Sequence, residues 1–346
     1  MSTVHVAILT PGFAVDEADT NCVPALQDYV LALRRHCPDF ALTVFTLRYP
    51  HTRKSYEWQG IAVKPANGRR SPFPASLLSW VRLVRDFAST MRRTPVQVIH
   101  SFWLGECAFL GERLSRLYGV PHVVTLMGQE VAQRNRYVSL LKSKRAAFVA
   151  VSPFQRRELV KHTRHDVQHV IPWGFDAPAF GHSDARDIDV LGVGSLTAVK
   201  AFDAFLDVVA RLPKVSCRIV GDGPLLPVLE EKAAQLSLSV TFEGRLSRER
   251  VLVLMRRSKV LLHTATFESF GLVFAEALAC GMRIVSRPVG IAEAGERWAV
   301  CEEAEDMAIA VDRFLAAETL EPWCAYPLEN TVAAYHDLYR SLLRRR

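Results

Sequence analysis

Short runs of apolar and β-branched residues alternate with amphipathic stretches along the whole chain. This alternation is the sequence feature that most restricts which folds the chain can adopt. In the first half we predict strands at Val4–Leu9, Leu42–Thr46, Val96–Ser101, His122–Leu126, Ala147–Val151 and Val167–Ile171. The stretches between them have the apolar spacing of helices, at Val23–Arg35, Ala75–Arg92, Gly105–Tyr118 and Pro153–Lys161. Strands that alternate with helices in this way predict an α/β fold with parallel sheets.

The alternation breaks at residues 172–187, where PWGFDAPAFGHSDARD carries Pro, Gly and short polar residues without apolar periodicity. We interpret this stretch as an interdomain linker, because 346 residues are too many for one ordinary domain. A second series of strands follows, at Asp189–Gly194, Ser216–Val220, Ser239–Phe242, Lys259–Thr264 and Arg283–Ser286. The prediction is two Rossmann-like, doubly wound parallel-sheet domains that face a cleft, over residues 1–173 and 174–323.

Composition excludes several classes of protein. With 49% hydrophobic and 23% charged residues the chain can bury a full core, and no run approaches the ~20 apolar residues of a membrane span. The apolar run that begins at Val4 lacks a basic segment before it, so we expect a core strand rather than a signal peptide. The seven cysteines are scattered without metal-ligand spacing, which favours reduced thiols in a cytoplasmic protein.

Positive charge is concentrated in the first half of the chain. The net charge is +7, and twelve Lys or Arg residues stand against three acids between Arg34 and Arg93. Such a surface attracts an anionic membrane, nucleic acid or an anionic acceptor, or is only a solvated basic face. Charge alone leaves these alternatives open.

The strongest constellation of polar residues follows the predicted strand Lys259–Thr264. Residues 268–281, ESFGLVFAEALACG, place Glu268 in a loop and Glu276 in the first turn of an apolar helix. Gly271 between them allows a ligand to approach the backbone, and the free N–H groups of a helix start bind anions. In a functional interpretation Glu276 binds ribose hydroxyls and Glu268 faces the reacting sugar. In a structural interpretation both are ordinary charges near a helix N-terminus.

The same segment resembles the pattern E-G-F-G-x-x-x-x-E-A-x-A-x-G of the retaining, GT-B-fold glycosyltransferases known as family 4 or group 1, with Ser269 in place of a glycine. Further features of that family occur in order, as VIPWGFD, VGSLTAVK, GDGPL and FEGRL at residues 170–176, 193–200, 221–225 and 242–246. The resemblance covers the second half of the chain and, more loosely, most of the first. It implies that a last helix, in residues 324–346, packs back on the N-terminal domain.

The resemblance implies that the second domain binds a nucleoside-diphosphate sugar as donor substrate, with no further cofactor. Lys200 would neutralise the charge that builds on the diphosphate and Glu268 would orient the sugar, so these two are the implied catalytic residues. The family usually has an arginine where this chain has Ser195, and Arg245 is a candidate substitute. The implied donor-binding set is Gly12, Gly194, Ser195, Lys200, Gly223, Arg245, Leu246, Ser269, Phe270, Gly271, Leu272 and Glu276.

The acceptor side, expected in the first domain, departs further from the family. Only Gly12 stands where relatives have a pair of glycines after the first strand. Residues 126–130, LMGQE, are similar to the family's L-H-G-x-D, so the resemblance places Met127, Gly128 and Glu130 near the transferred sugar, although Met127 replaces a histidine. His100 either faces the expected cleft or is a core histidine, and the sequence leaves both interpretations open.

Asp187 and Asp189 match the Asp-x-Asp metal motif of the other glycosyltransferase fold only superficially. In that motif the acids follow an apolar strand and reach a divalent ion at its carboxyl end. Here they stand at the start of the predicted strand 189–194, which is the wrong edge of the sheet. We therefore interpret them as linker charges and expect no metal site.

Residues 71–93 combine the sequence SPFP with an amphipathic stretch that carries four arginines. The pattern is typical of a helix that lies on a membrane surface, and related enzymes with lipid-linked acceptors attach through this region. A helix buried within the domain explains the same apolar residues. Both interpretations stay open.

The expected function is retaining transfer of a hexose from a nucleoside-diphosphate sugar to a saccharide or lipid-linked acceptor, by a metal-independent, front-face mechanism in polysaccharide or glycolipid biosynthesis. One alternative is a UDP-sugar epimerase of the same fold, which needs no acceptor. Another is a catalytically degenerate relative that only binds nucleotide sugar. The expected partners are donor, acceptor and an anionic membrane surface on its cytoplasmic face, without nucleic acid.

Overall fold

The computed structural model describes residues 3–20, 22–69, 76–131, 135–141, 146–162, 167–176, 186–318 and 320–344. The contacts within the chain divide it into two compact units. The first unit is formed by Met1–Asp176 together with Leu328–Arg346, and the second by Ala177–Pro327. The prediction of two α/β domains with parallel sheets is confirmed.

The first unit is built on an eight-stranded sheet with the order β3-β4-β2-β1-β5-β6-β7-β8. Its strands are β1 (Val4–Gly12), β2 (Phe40–Tyr49), β3 (Tyr56–Trp58), β4 (Ile61–Pro65), β5 (Val98–Phe102), β6 (His122–Thr125), β7 (Ala146–Ala150) and β8 (His169–Val170). All neighbours are parallel except β3 and β4, which form an antiparallel edge. Five helices connect these strands: α1 (Pro24–His36), α2 (Ser76–Arg93), α3 (Glu106–Tyr118), α4 (Arg136–Leu140) and α5 (Pro153–His162).

Local sequence explains where two of these helices end or begin. Helix α3 stops at Gly119, which adopts a left-handed conformation with φ 65° and donates its N–H to the carbonyl of Ser115. Helix α5 begins at Pro153, and the hydroxyl of the preceding Ser152 accepts the N–H of Gln155 at 3.1 Å. These caps hold each helix at a fixed length between the central strands.

The second unit contains a six-stranded, fully parallel sheet with the order β11-β10-β9-β12-β13-β14. Its strands are β9 (Ile188–Val193), β10 (Cys217–Val220), β11 (Val240–Gly244), β12 (Ser258–His263), β13 (Arg283–Ser286) and β14 (Trp298–Val300). Its helices are α6 (Phe202–Val209), α7 (Leu226–Gln235), α8 (Arg248–Arg256), α9 (Leu272–Ala279) and α10 (Ala304–Leu315). The strand order reverses between β9 and β12, which is where open α/β sheets bind ligands beyond their carboxyl ends.

The last helix, α11 (Leu328–Arg344), belongs to the first unit, where it packs against α1. Tyr335 and Tyr339 are fully buried on its inner face. The hydroxyl of Tyr339 lies 2.8 Å from that of Tyr29 on α1. The C-terminal segment is therefore part of the first unit's core.

Residues 172–176, predicted as the start of the linker, belong to the first unit. Trp173 is only 3% exposed and packs against the rings of Tyr29 and Phe102, with centroids 5.4 and 5.9 Å away. The N–H of Gly174 donates to the hydroxyl of Thr331 at 2.8 Å. One large aromatic anchor thus holds residues 172–176 in the first unit without any apolar periodicity. Residues 177–185 of the predicted linker lie outside the described residues.

No helix of the described residues is both long enough and apolar enough to cross a membrane. Helix α2 is half buried: Leu83 and Phe87 face the core, whereas Leu77, Leu78 and Val81 are 47%, 61% and 59% exposed. The SPFP sequence before it lies outside the described residues.

Candidate active site

Two glycine-containing loops meet at the carboxyl edge of the second unit's sheet. Gly194 follows β9 and donates its N–H to the carbonyl of Val220, at 3.0 Å. A Cβ atom on Gly221 would lie 1.8 Å from the carbonyl oxygen of Gly194, and one on Gly223 would lie 2.4 Å from that of Leu196. Only glycine permits such a close approach of the two backbones. The loops therefore leave a surface of main chain that a ligand can approach.

Lys200 lies along the first of these loops. A Cβ on Gly194 would lie 3.5 Å from Cδ and Cε of Lys200, so the side chain passes directly over this glycine. Its Nζ donates to Oε1 of Glu268, and the two side chains are 21% and 15% exposed. The structure thus brings together the two residues implied as catalytic, which are 68 positions apart in the sequence.

A histidine that the sequence analysis missed completes this cluster. His263 ends β12, is 4% exposed, and its Nε2 lies 3.2 Å from Oε1 of Glu268. Burial lowers the pKa of His263, so the neutral ring donates its Nε2–H to the carboxylate. Burial by itself would raise the pKa of Glu268, but the hydrogen bond from His263 and the charge of Lys200 outweigh it and lower this pKa to about 2. Glu268 is therefore a fixed anion at neutral pH.

Glu276 is 8% exposed and lies in the second turn of α9, not in the first turn as predicted, because the helix begins at Leu272. Its Oε1 accepts a hydrogen bond from Nε of Arg248, in the first turn of α8, at 2.9 Å. The sequence analysis did not anticipate Arg248, because nothing in the spacing links the start of one helix with the middle of another. This pair fixes one carboxylate oxygen of Glu276.

The N-terminus of α9 lies between these two glutamates. Gly271 precedes the helix with φ 82°, and a Cβ there would lie 2.5 Å from the ring of Phe274. Phe270 is buried against Tyr326, with ring centroids 5.3 Å apart, and its carbonyl accepts the N–H of Ile291. Ser269 is half-buried, and Leu272 is the first helical residue. Backbone N–H groups in the first turn of such a helix favour an anion.

The remaining residues of the implied donor set are more peripheral. Ser195 is exposed, with its hydroxyl 3.5 Å from that of Thr197. Arg245 is exposed and Leu246 half-buried, in the turn between β11 and α8. Gly12 lies in the first unit, buried where a Cβ would meet Sγ of Cys22 at 3.2 Å. Among the predicted site residues, Lys200 contacts both Gly194 and Glu268, and Gly223 lies on the neighbouring loop, against Leu196.

At the carboxyl edge of the first unit, the loop after β6 folds around Glu130. Its carboxylate accepts the N–H of Met127 at 2.6 Å, and a Cβ on Gly128 would lie 3.1 Å from Oε2. Burial raises the pKa of Glu130 although backbone hydrogen bonds, that of Met127 foremost, oppose the shift. The Nε1 atom of Trp103 lies 3.7 Å from the same Cβ position. Trp103, missed by the sequence analysis, is held at φ 67°, an unusual conformation for a residue other than glycine.

His100 belongs to the core of the first unit. It is fully buried, with Nδ1 2.6 Å from the hydroxyl of Tyr339 and Nε2 2.7 Å from that of Thr125. Burial lowers its pKa well below the usual value. With both ring nitrogens engaged inside the core, the interpretation that His100 faces a substrate is wrong, and the core interpretation holds.

Asp187 and Asp189 lie at the amino end of β9, as their order in the sequence indicates. Asp187 pairs with Arg257 and Asp189 with Lys259, whose Nζ lies 2.7 Å from Oδ1. Within the described part of the chain no three His, Cys, Asp or Glu side chains cluster as metal ligands would. Both acids are therefore structural ion-pair partners at the edge opposite Lys200 and Glu268.

Two parallel-sheet α/β units of this kind define the GT-B architecture. The family profile "Glycosyltransferase Family 4" matches residues 26–177, and "Glycosyl transferases group 1" matches residues 178–322. The two matches meet within one residue of the boundary between the structural units. The chain belongs to this glycosyltransferase family.

Individual relatives are more distant. An uncharacterised glycosyltransferase of Methanocaldococcus jannaschii is 23% identical over 202 residues, which cover 56% of this chain and 57% of the relative. A D-inositol 3-phosphate glycosyltransferase of Mycobacteroides abscessus is 34% identical over 137 residues, or 36% of this chain and 31% of the relative. The chain thus matches less than two thirds of the length of either relative.

Solved structures resemble the whole chain. Sucrose-phosphate synthase from Thermosynechococcus elongatus has a TM-score of 0.78 at 19% identity, over 99% of this chain and 100% of that one. HepE of Anabaena, solved with UDP and glucose, has a TM-score of 0.66 at 17% identity, over 99% and 98%. At such identities the similarity concerns the fold.

Proposed function

We propose that this protein transfers a hexose, with retention of anomeric configuration and without a metal ion, from a nucleoside-diphosphate sugar to a hydroxyl of a saccharide or lipid-linked acceptor. The observation that carries this proposal is the half-buried pair of Lys200 and Glu268 beside two glycine loops and the N-terminus of α9. A cation, exposed main chain and a helix start are the groups that bind a diphosphate, and a fixed carboxylate next to them suits a sugar.

The donor would lie along the carboxyl edge of the second sheet. The glycine loops after β9 and β10 allow its phosphates to approach the backbone, and the first turn of α9 supplies N–H donors. Glu276, whose carboxylate is oriented by Arg248, would accept hydrogen bonds from the ribose hydroxyls. Arg245 and Leu246 would flank the base in the turn after β11.

Lys200 would supply the main catalytic effect. As the bond between the anomeric carbon and the phosphate oxygen breaks, its electron pair leaves with the diphosphate, which gains negative charge. A preorganised ammonium group at that position stabilises this charge, an effect worth on the order of 100-fold or more in rate. No Lewis acid is required when a cation of the protein holds the leaving group.

Retention would follow from attack on the face that the diphosphate leaves. The acceptor oxygen forms the new bond to the anomeric carbon, and its proton passes to an oxygen of the departing phosphate. Glu268 is a poor nucleophile in this arrangement, because Lys200 and His263 both engage its Oε1 and hold its pKa at about 2. We assign it to orienting the sugar hydroxyls and stabilising positive charge on the ring.

The acceptor would bind the first unit, where Met127, Gly128 and Glu130 form the loop after β6. Exposed Leu77, Leu78 and Val81 on α2, with Arg85 on the same face, would place this unit on an anionic membrane surface that carries a lipid-linked acceptor. A role in polysaccharide or glycolipid assembly fits such an acceptor.

The test is an assay with radiolabelled nucleotide sugars and a panel of saccharide and lipid-linked acceptors, followed by NMR of the product. We expect transfer that persists in EDTA and a product with the donor's anomeric configuration. Loss of transfer in EDTA that Mg²⁺ or Mn²⁺ restores would refute metal independence, and an inverted product would refute retention. If the protein converted a UDP-sugar to its epimer without an acceptor, its activity would be epimerisation and the proposal of transfer would be wrong.

A further inference from the structure

Arg287 is a charged residue at the carboxyl edge of the second sheet that neither the sequence motifs nor the proposed mechanism uses. It directly follows β13, and its backbone N–H lies 3.3 Å from the carbonyl of His263 at the end of β12. Its own carbonyl accepts the N–H of Val289 at 2.8 Å. The backbone of Arg287 is thus fixed next to the histidine that binds Glu268.

The side chain of Arg287 lacks the partner that such a group needs. Its Nε is buried, and among the described residues no atom accepts a hydrogen bond from it. The described carboxylates likewise form no ion pair with its guanidinium. A buried donor without an acceptor costs free energy, and a guanidinium remains charged at every physiological pH. An anionic ligand would satisfy both requirements.

The loop that begins at Arg287 closes against the N-terminus of α9. The N–H of Ile291 donates to the carbonyl of Phe270 at 3.0 Å. A Cβ on Gly290 would lie 2.3 Å from the same carbonyl oxygen and 3.3 Å from Cβ of Glu268. The loop 287–291 therefore packs directly on the segment that presents Glu268 and the first turn of α9.

Strand order places this loop opposite Lys200. The sheet runs β9, β12, β13, so the segment that leaves β12 lies between the two neighbouring loops. Lys200 reaches Glu268 from the side of β9, and Arg287 stands on the side of β13. The chain positions of Lys200 and Arg287 thus flank the segment that leads from β12 to the start of α9.

We propose that Arg287 is a second cation of a phosphate-binding site at the N-terminus of α9, where it shares the diphosphate of the nucleotide donor with Lys200. This role rests on the proposed function for the identity of the ligand. A guanidinium binds phosphate oxygens with two parallel hydrogen bonds, whereas the exposed Ser195 beside Gly194 offers a single hydroxyl without charge.

The experiment compares calorimetric affinities for UDP, GDP, ADP and TDP, and for the corresponding monophosphates. Wild type is measured first, and the nucleoside diphosphate that binds best is used for the variants Arg287→Ala, Arg287→Lys and Arg287→Met. Arg283→Ala is the charge-matched control, because Arg283 opens the same strand at the opposite edge and bonds the carbonyls of Glu296 and Glu318. A melting curve of each variant accompanies the titration.

We expect Arg287→Ala and Arg287→Met to weaken diphosphate binding about tenfold or more, and the preference over the monophosphate to shrink. Arg287→Lys keeps part of the affinity, and Arg283→Ala keeps all of it. The melting temperature of Arg287→Met does not fall below the wild-type value, because no partner within the described residues is lost and a buried donor without an acceptor is removed.

Unchanged diphosphate affinity in Arg287→Ala, with Lys200→Ala still weakened, would overturn the role of Arg287 and leave the proposed function intact. If Arg287→Ala changed only the KM for the acceptor, the proposed role of Arg287 in diphosphate binding would also be overturned. If wild type binds none of the four nucleoside diphosphates, the proposed function fails together with this site.

Discussion

The carboxyl edges of the two sheets come from similar strand arrangements but carry different chemistry. In the second unit, Lys200 and Glu268 form a half-buried ion pair between glycine loops and a helix start. In the first unit the corresponding edge carries Glu130, folded back on its own loop, while His100 lies inside the core in the middle of β5 and is bonded by two hydroxyls. The second unit's edge thus combines an ion pair with a helix start, whereas at the first unit's edge the carboxylate of Glu130 is bonded by its own loop.

The largest effect is expected for Lys200→Ala, because this variant lacks the cation that we propose to neutralise the diphosphate of the donor. Transfer, measured as kcat/KM for the donor, should fall on the order of 100-fold or more. Lys259→Ala is the matched control, since Lys259 has the same charge in the same unit but pairs with Asp189 at the opposite edge of the sheet. Equal activity of the two variants would show that charge at the carboxyl edge has no special role.

Glu268→Gln should reduce transfer on the order of 100-fold as well, while the fold is retained. The lowered pKa also predicts a pH effect on stability. Because the pKa of Glu268 is about 2 in the folded state and about 4.3 in an unfolded chain, its stabilising contribution is present above about pH 4 and disappears as the pH falls toward 2.

Urea unfolding between pH 2.5 and 6 measures this contribution. Wild type should lose stability more steeply on acidification than Glu268→Gln, which lacks the titrating group. Parallel pH profiles for the two proteins would mean that Lys200 and His263 do not hold the carboxylate ionised.

Glu276→Ala should weaken binding of ribonucleotides about tenfold, because the carboxylate that Arg248 orients is lost. Titration with a nucleoside diphosphate and its 2′,3′-dideoxy analogue separates this role from a general loss of structure. Wild type should prefer the ribose form and the variant should not. A variant that keeps the preference would remove Glu276 from the ribose site.

The smallest functional effect is expected in the first unit. Tyr339→Phe deletes a hydroxyl that bonds both Tyr29 and His100, so the free energy of unfolding should fall by about 1–3 kcal/mol. Calorimetric affinity for the donor nucleotide should remain that of wild type. A loss of nucleotide binding without a loss of stability would contradict the assignment of this network to the core.

The sequence was sufficient to predict the α/β architecture, and it named Glu268 and Glu276 as candidate site residues because one continuous segment carries both. It also identified Lys200, which shares a motif with Gly194. It missed His263, Arg248 and Arg287, because only the strand order or the packing of two helices brings each of them close to the candidate site residues. His263 had a detectable signal, since it ends an apolar strand five positions before Glu268.

Other differences arose from features too short to produce periodicity. The strands β3 and β14 have three residues each and were not predicted. Residues 172–176 were interpreted as linker because a single aromatic anchor, Trp173, leaves no repeating pattern. The sequence left two interpretations of His100 open. A histidine near the end of a predicted strand gives the same sequence pattern whether its ring bonds core hydroxyls or a ligand.

The most direct test of the difference between the two edges is a thermal-shift screen of wild type and Lys200→Ala against UDP-, GDP-, TDP- and ADP-sugars. A ligand that binds only the folded state raises the melting temperature by mass action. We predict that at least one nucleotide sugar stabilises wild type and that the same compound has little effect on Lys200→Ala. If no nucleotide sugar stabilises wild type, or if both proteins respond equally, the carboxyl edge of the second unit is not the donor site.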